Sequence, residues 1–301
     1  MTTVQKQKIL AVLGPTAGGK SSVAIHLALH FSGEIISADS RQVYRWLDIG
    51  SNKITKSEME GVPHHLLNIA DPRERFSVAD FRREARSAVD EIAKRGKLPI
   101  VVGGTAFYID ALLGEVCVPE VPPDNALRAK LEMKSTQELY NELKEKDPER
   151  AKTIDQHNKR RLVRALEIVS ALGYVPKEKK GESLYDVLKI ALAVPQKDLE
   201  EKIEKRLEKD FARGLVEEVE TLHKKGLSWE RMEELGLQYR SVSRFLRGTL
   251  GEKEMKDELA HEIRRYAKRQ MTYLKRDKET YWFPYEDLGS MENTIQKFLS
   301  L

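Results

Sequence analysis

The stretch Gly14-Pro15-Thr16-Ala17-Gly18-Gly19-Lys20-Ser21 fits the phosphate-loop pattern G-x-x-x-x-G-K-[ST] at every fixed position. Before it, Ile9 to Leu13 is an apolar run of strand length. After it, Val23, Ala24, Leu27, Ala28 and Phe31 recur at helical spacing through Ser22 to Phe31. Strand, loop and helix in this order commit the chain to an α/β fold on a parallel sheet. The glycines let the backbone curl until several N–H groups and the helix N-terminus aim at one anion, Lys20 adds a charge, and Ser21 offers a hydroxyl to Mg²⁺. The loop alone leaves open which phosphorylated compound it holds.

Further strands follow the same logic. Gly33 to Ala38 reads as a second strand that delivers Asp39, Ser40, Arg41 and Gln42 to its carboxyl end, where open α/β sheets bind ligands. Asp39 or Ser40 could instead cap the next helix. Residues 45–75 form a long irregular connection of the kind that serves as a lid or binding loop. Its adjacent His64 and His65 are expected to pack and hydrogen-bond rather than to hold a metal, since no third ligand stands near in sequence. Ser77 to Arg95 reads as a capped amphipathic helix, followed by the apolar run Leu98 to Val102 and by Gly103-Gly104-Thr105. The three polar strand ends should therefore meet on one rim.

Pro119, Pro122 and Pro123 mark a change to densely charged helical sequence, and a core-type strand returns only at Val187 to Val194. The expectation is a core of residues 1–118 and 187–301 interrupted by a helical insertion, 119–186. On the insertion, Arg160 and Arg164 lie one turn apart, opposite an apolar face, and are expected to be free to meet an external anion. The last long helix, roughly Glu252 to Arg276, carries Arg265, Lys268, Arg269, Thr272, Lys275 and Arg276 on one side, with no acid between Glu262 and Asp277. The net charge is only +4, but a face of one sign this long favours a polyanion.

The 301 residues include one cysteine, Cys117, which excludes an internal disulfide framework and a cysteine-cluster zinc site and points to a reducing cytoplasm. Cys117 is expected as a small buried hydrophobe among Val116, Val118 and Pro119. No apolar run reaches membrane-spanning length, and Met1 to Lys8 does not resemble a secretory signal.

Taken together, these segments resemble the bacterial tRNA dimethylallyltransferase family. The resemblance is carried by Gly14 to Ser21, Asp39-Ser40-Arg41-Gln42-Val43-Tyr44, Pro63-His64-His65-Leu66, Gly103-Gly104-Thr105, Arg160 to Glu167 and Arg265 to Gln270. It implies an α/β fold with a P-loop-type parallel sheet flanked by helices and a helical insertion domain. It implies transfer of a dimethylallyl group from dimethylallyl diphosphate to N6 of the adenine adjacent to the anticodon of tRNA, with diphosphate released. Gly14, Pro15, Thr16, Ala17, Gly18, Gly19, Lys20 and Ser21 would hold the diphosphate, and Ser21 a Mg²⁺ ion. Asp39 would act as base, with Thr105 and Lys20 as its catalytic partners. Contacts to tRNA would come from Asp39, Ser40, Arg41, Gln42, Thr105, Arg128, Arg160, Arg161, Arg164, Arg265, Lys268 and Arg269. The expected partners are the tRNA anticodon stem-loop and dimethylallyl diphosphate, without a membrane, and the chain is expected to act as a cytoplasmic monomer. A small-molecule P-loop kinase, with Asp39 as base for a substrate hydroxyl, is the alternative.

Overall fold

The computed structural model describes residues 6–176 and 184–300. Contacts divide the chain into two compact units, Met1–Leu113 with Ser183–Leu301, and Gly114–Glu182.

The larger unit is built on six strands: β1 (Lys8–Leu13), β2 (Gly33–Ser37), β3 (His64–His65), β4 (Leu98–Gly103), β5 (Asp186–Ala193) and β6 (Tyr281–Pro284). Their order across the sheet is β3-β2-β4-β1-β5-β6, with every neighbouring pair parallel. Strand side chains alternate between faces, and both faces are apolar. Ile9, Ala11, Leu13, Val101 and Ala191 pack against α2 (Val78–Lys94) and α3 (Ala106–Leu113). Leu10, Val12, Ile100, Ile190 and Leu192 pack against α1 (Lys20–His30) and α13 (Leu288–Ser300). A one-residue slip in β1 exchanges these two sets between unlike helix pairs, so register is held from both sides. α2 starts where its cap directs: Ser77 accepts from the Asp80 N–H, and the Asp80 carboxylate accepts from the Ser77 N–H.

A helical layer stands over the carboxyl end of β2. It comprises α8 (Gln196–Ala212), α9 (Leu215–Lys224), α10 (Trp229–Leu235), α11 (Leu237–Leu246) and α12 (Glu252–Leu274), and its core takes in Val43, Tyr44 and Leu47 from the loop after β2.

The smaller unit contains α4 (Asn125–Glu132), α5 (Thr136–Lys146), α6 (Pro148–Ala151) and α7 (Lys159–Leu172) around its own core of Leu131, Leu139, Leu143, Leu162, Leu166 and Val169. Side chains of Asp124, Ser135, Asp147 and Asn158 cap these four helices in turn. Cys117 is exposed, contrary to the buried position expected from its apolar neighbours in sequence. Short apolar runs flanked by proline need not enter a core. No helix among the described residues is long and apolar enough to cross a membrane.

Candidate active site

The register sets Leu13 beside Gly103 and Ser37 beside Val102. The phosphate loop, Asp39 and Gly104 are thereby delivered to one edge of the sheet, where β1 lies between β4 and β5. There they border a cavity of about 180 Å³ that also reaches Arg206, Tyr266 and Gln270 on the helical layer.

Every helix of the smaller unit and α2 has a side-chain cap, but α1 has none, and no acid stands in its first turn. Gly19 takes the cap position at φ 87°, a left-handed conformation that bends the loop into the helix. The first N–H groups of α1 therefore keep their positive ends for an anion. Gly18 N donates to the Pro15 carbonyl at 3.1 Å, and the Lys20 ammonium donates to the same carbonyl at 2.6 Å. Burial pushes the Lys20 pKa down to about 8, opposed by the nearby Asp39 carboxylate and aided by Arg206. Arg206, on α8, donates to the Thr16 hydroxyl at 3.1 Å, so two cations from distant parts of the chain share the loop.

Asp39 closes a tight local turn. Its Oδ1 accepts from the N–H groups of Arg41 (2.8 Å) and Gln42 (3.3 Å). No helix follows for Asp39 to cap, although its position suggested one; it closes a turn instead, through one carboxylate oxygen. Thr105 Oγ1 accepts from Ser40 N at 3.3 Å. Burial pushes the Tyr266 phenol above its ordinary value, with the Asp39 charge adding to it. Gly103 and Gly104 are more than a turn: a Cβ on Gly103 would sit 2.2 Å from the Ala38 carbonyl oxygen, and one on Gly104 2.2 Å from Gln270 Nε2. Only bare backbone lets β2, β4 and α12 close on one another here.

Several expected contacts are committed elsewhere. Gln42 accepts from Ser37 Oγ and donates to the carbonyls of Ser51 and Asn52, which makes it a strut in the cavity wall. Arg41 donates from Nε to the Leu235 carbonyl at 2.6 Å. Within the smaller unit, Arg164 is not free as its helical face suggested. It donates to the Val121 carbonyl at 2.8 Å and reaches Glu167, a buried carboxylate that also pairs with Arg128 at 2.7 Å. Arg160 and Arg161 are exposed. Arg265, Lys268 and Arg269 on α12, and Lys275 and Arg276 just past its end, are all exposed, and none enters an ion pair among the described residues. Acids paired with arginine lie off that face, at Glu262–Arg240 and Glu204–Arg264.

The histidine pair divides its work. His64 Nδ1 lies 2.8 Å from the Val62 carbonyl with its ring on the cavity, and His65 Nε2 lies 2.7 Å from Glu34, which Arg95 also holds. Arg206, Tyr266 and Gln270 were not expected as site residues. A signal was present: Gln270 falls on the stripe of Leu259, Ile263, Ala267 and Leu274, where a buried amide demands partners.

Residues 42–277 match the family described as IPP transferase, and residues 7–72 that described as isopentenyl transferase. A tRNA dimethylallyltransferase of Thermomicrobium roseum is 41% identical, with 97% of this chain and 91% of that protein covered. One of Anoxybacillus flavithermus is 40% identical over 97% and 95%. The structure of a tRNA isopentenylpyrophosphate transferase from Bacillus halodurans superposes with a TM-score of 0.75 at 35% identity, covering 98% of this chain and 97% of that one. A eukaryotic dimethylallyltransferase captured acting on tRNA gives 0.81 at 28% identity, covering 94% and 75%. With the family match spanning most of its length and relatives this similar over nearly all of it, the chain belongs to the IPP transferase family.

Proposed function

We propose that this chain transfers a dimethylallyl group from dimethylallyl diphosphate to tRNA, with N6 of the adenine adjacent to the anticodon as the acceptor. The observation that carries this reading is the single cavity lined both by an uncapped phosphate loop with two cations and by Asp39 and Gly104, the residue before Thr105. One half suits a diphosphate, the other an amine.

In the reaction the N6 lone pair forms a bond to the allylic carbon, the carbon–oxygen bond to diphosphate breaks, and the N6 proton leaves to a base. Lys20, Arg206 and the N–H groups of the loop and α1 meet the charge that builds on the departing oxygen, an interaction strongest at the transition state. Adenine N6 is a weak nucleophile because its lone pair is shared with the ring. Asp39, with Oδ1 fixed by the turn, offers its second oxygen to orient the amine and take the proton. Thr105, tied to Ser40, would position the amine from the adjacent strand end.

The chain fits a magnesium ion in this role. Among the described residues no group of three or more His, Cys, Asp or Glu could hold a metal, and Ser21 contributes a hydroxyl at the loop. Magnesium accepts such a partial protein shell when water and substrate phosphate oxygens complete it. Bound there, it would neutralise charge on the diphosphate.

The exposed basic face of α12 and the exposed Arg160 and Arg161 would take RNA phosphates. The reacting base must leave its stack to enter so small a cavity. A P-loop kinase would use the same loop, but it gives the one-signed face of α12 no work and does not match the transferase names of relatives that span the chain.

Incubating unmodified tRNA with the protein and dimethylallyl diphosphate, then weighing the digested nucleosides, tests the reading. A prenyl mass increment on the adenosine beside the anticodon is expected. Unchanged tRNA, together with thermal protection by ATP and none by dimethylallyl diphosphate, would overturn it.

A further inference from the structure

Phe107 stands in the first turn of α3 with 47% of its surface exposed, although Tyr108, Ile109, Ala111, Leu112 and Leu113 behind it are buried. It shares the outward face of α3 with Asp110, three residues on. Two links tie this end of α3 to α12: the Gln270 Nε2 donates to the Gly104 carbonyl, two residues before α3, and the Tyr273 hydroxyl donates to the Asp110 carboxylate. In sequence Phe107 lies between Gly104 and Asp110, and Arg269 directly precedes Gln270. Arg269 is exposed, and its guanidinium is 5.8 Å from the Tyr266 ring centre, while that of Arg276 is 5.7 Å from the Tyr273 ring centre. Gly104, Tyr266 and Gln270 line the cavity, three residues ahead of Phe107 on one segment and adjoining Arg269 on the other.

Exposed rings on a surface that also carries guanidiniums without an ion pair among the described residues suit unpaired nucleotides: the cations track phosphate, and the π-faces accept bases of any identity. We propose that Phe107 is the stacking platform for the unpaired base next to the adenine that enters the cavity. The inference rests on the tRNA reading above and adds the residue that holds the neighbour. Extruding one base strips a stacking partner from the bases beside it. Phe107 is not among the residues lining the cavity, and it is a large apolar surface exposed three residues past Gly104, which does line it. Because stacking ignores base edges, the contact would fix the position of the loop without reading its sequence.

The test uses the full chain and an anticodon stem-loop carrying 2-aminopurine at either position flanking the reacting adenine. Wild type is expected to quench one of the two probes on binding. Phe107→Ala should lose most of that quench and raise KM for the RNA about tenfold, leaving KM for dimethylallyl diphosphate and the salt dependence of binding unchanged. Phe107→Trp should restore both quench and KM. Arg269→Ala should instead reduce the salt slope by about one. Wild-type quench and RNA KM in Phe107→Ala, or a tryptophan that restores neither, would overturn the platform while leaving the proposed reaction in place. If wild type neither binds nor prenylates the stem-loop, the reaction itself falls, and the platform with it.

Discussion

Gln270 and Thr16 meet across 254 residues of chain: the Gln270 Oε1 accepts the Thr16 N–H at 2.8 Å, while its Nε2 donates to the Gly104 carbonyl at 2.8 Å. One amide thus holds the phosphate loop against the strand end that carries Thr105. Its two ends are matched to one donor and one acceptor, which a carboxylate cannot satisfy. Gln270→Glu leaves the Gly104 carbonyl without a donor and brings a negative charge beside the diphosphate. An unsatisfied buried group costs roughly 1–3 kcal/mol, so KM for dimethylallyl diphosphate is expected to rise about ten- to a hundredfold in steady-state kinetics. A Glu variant with wild-type KM contradicts this bridge.

Lys20 sets a pH limit. Burial lowers its pKa to about 8 in the free protein, and the proposed diphosphate contact uses the ammonium. Below pH about 8 the charge is present and binding is at full strength. Above it, binding must take up a proton, and kcat/KM for dimethylallyl diphosphate should fall towards tenfold per pH unit. In stability the sign reverses: from pH about 8 to the ordinary 10.5 the unfolded chain holds more protons than the folded one, so the free protein gains stability as pH rises. Lys20→Arg, whose charge persists at these pH values, should remove the kinetic decline. A profile identical in wild type and Lys20→Arg would assign the limit to another group.

Asp39 allows a substitution that separates shape from basicity. Asparagine keeps an oxygen to accept from Arg41 and Gln42, so the turn survives, but the second carboxylate oxygen is replaced by a donor. Asp39→Asn is expected to lower kcat by roughly 10²–10⁴ with little change in KM for dimethylallyl diphosphate or in thermal midpoint. Single-turnover transfer of labelled prenyl group measures it, and a rate near wild type would remove Asp39 as base.

Glu167 is the electrostatic centre of the smaller unit. It accepts from the Asp124 N–H and pairs with Arg128 and Arg164. Glu167→Ala strands two partly buried guanidiniums, and a loss of about 3 kcal/mol is expected. Hydrogen exchange should quicken in α4 and α7 while α12 keeps its protection. Unchanged exchange in α7 counts against this role.

What could be read from the sequence was what local chemistry decides. The β1, phosphate loop and α1 unit follows from one motif with its flanking periodicities, and Ser77 announces α2 three residues ahead of Asp80. β3 and β6 were not foreseen, because His64–His65 and Tyr281–Pro284 are too short for a pattern and become strands only by pairing with β2 and β5. Asp39 and Thr105 were legible as strand ends. Arg206 and Gln270 reach the site from helices far along the chain, and their only local trace is a polar residue near an apolar stripe. Arg164 misled for the opposite reason: its helical face indicated solvent, while Glu167 three residues on, inside the apolar face, claims it.

Lys268 and Arg269 directly precede Gln270 on one unbroken helix. The basic surface proposed for RNA and the amide that steadies the phosphate loop are therefore consecutive marks on a single ruler. Inserting or deleting one residue between Glu262 and Gln270 turns everything beyond it by about 100°, which would swing Gln270 out of the core and carry the basic face inward together. Length variation is tolerable in the turn between α11 and α12, where Gly248 and Gly251 lie at the surface, but within this span the reading frame of the helix is also the spacing between the two substrates.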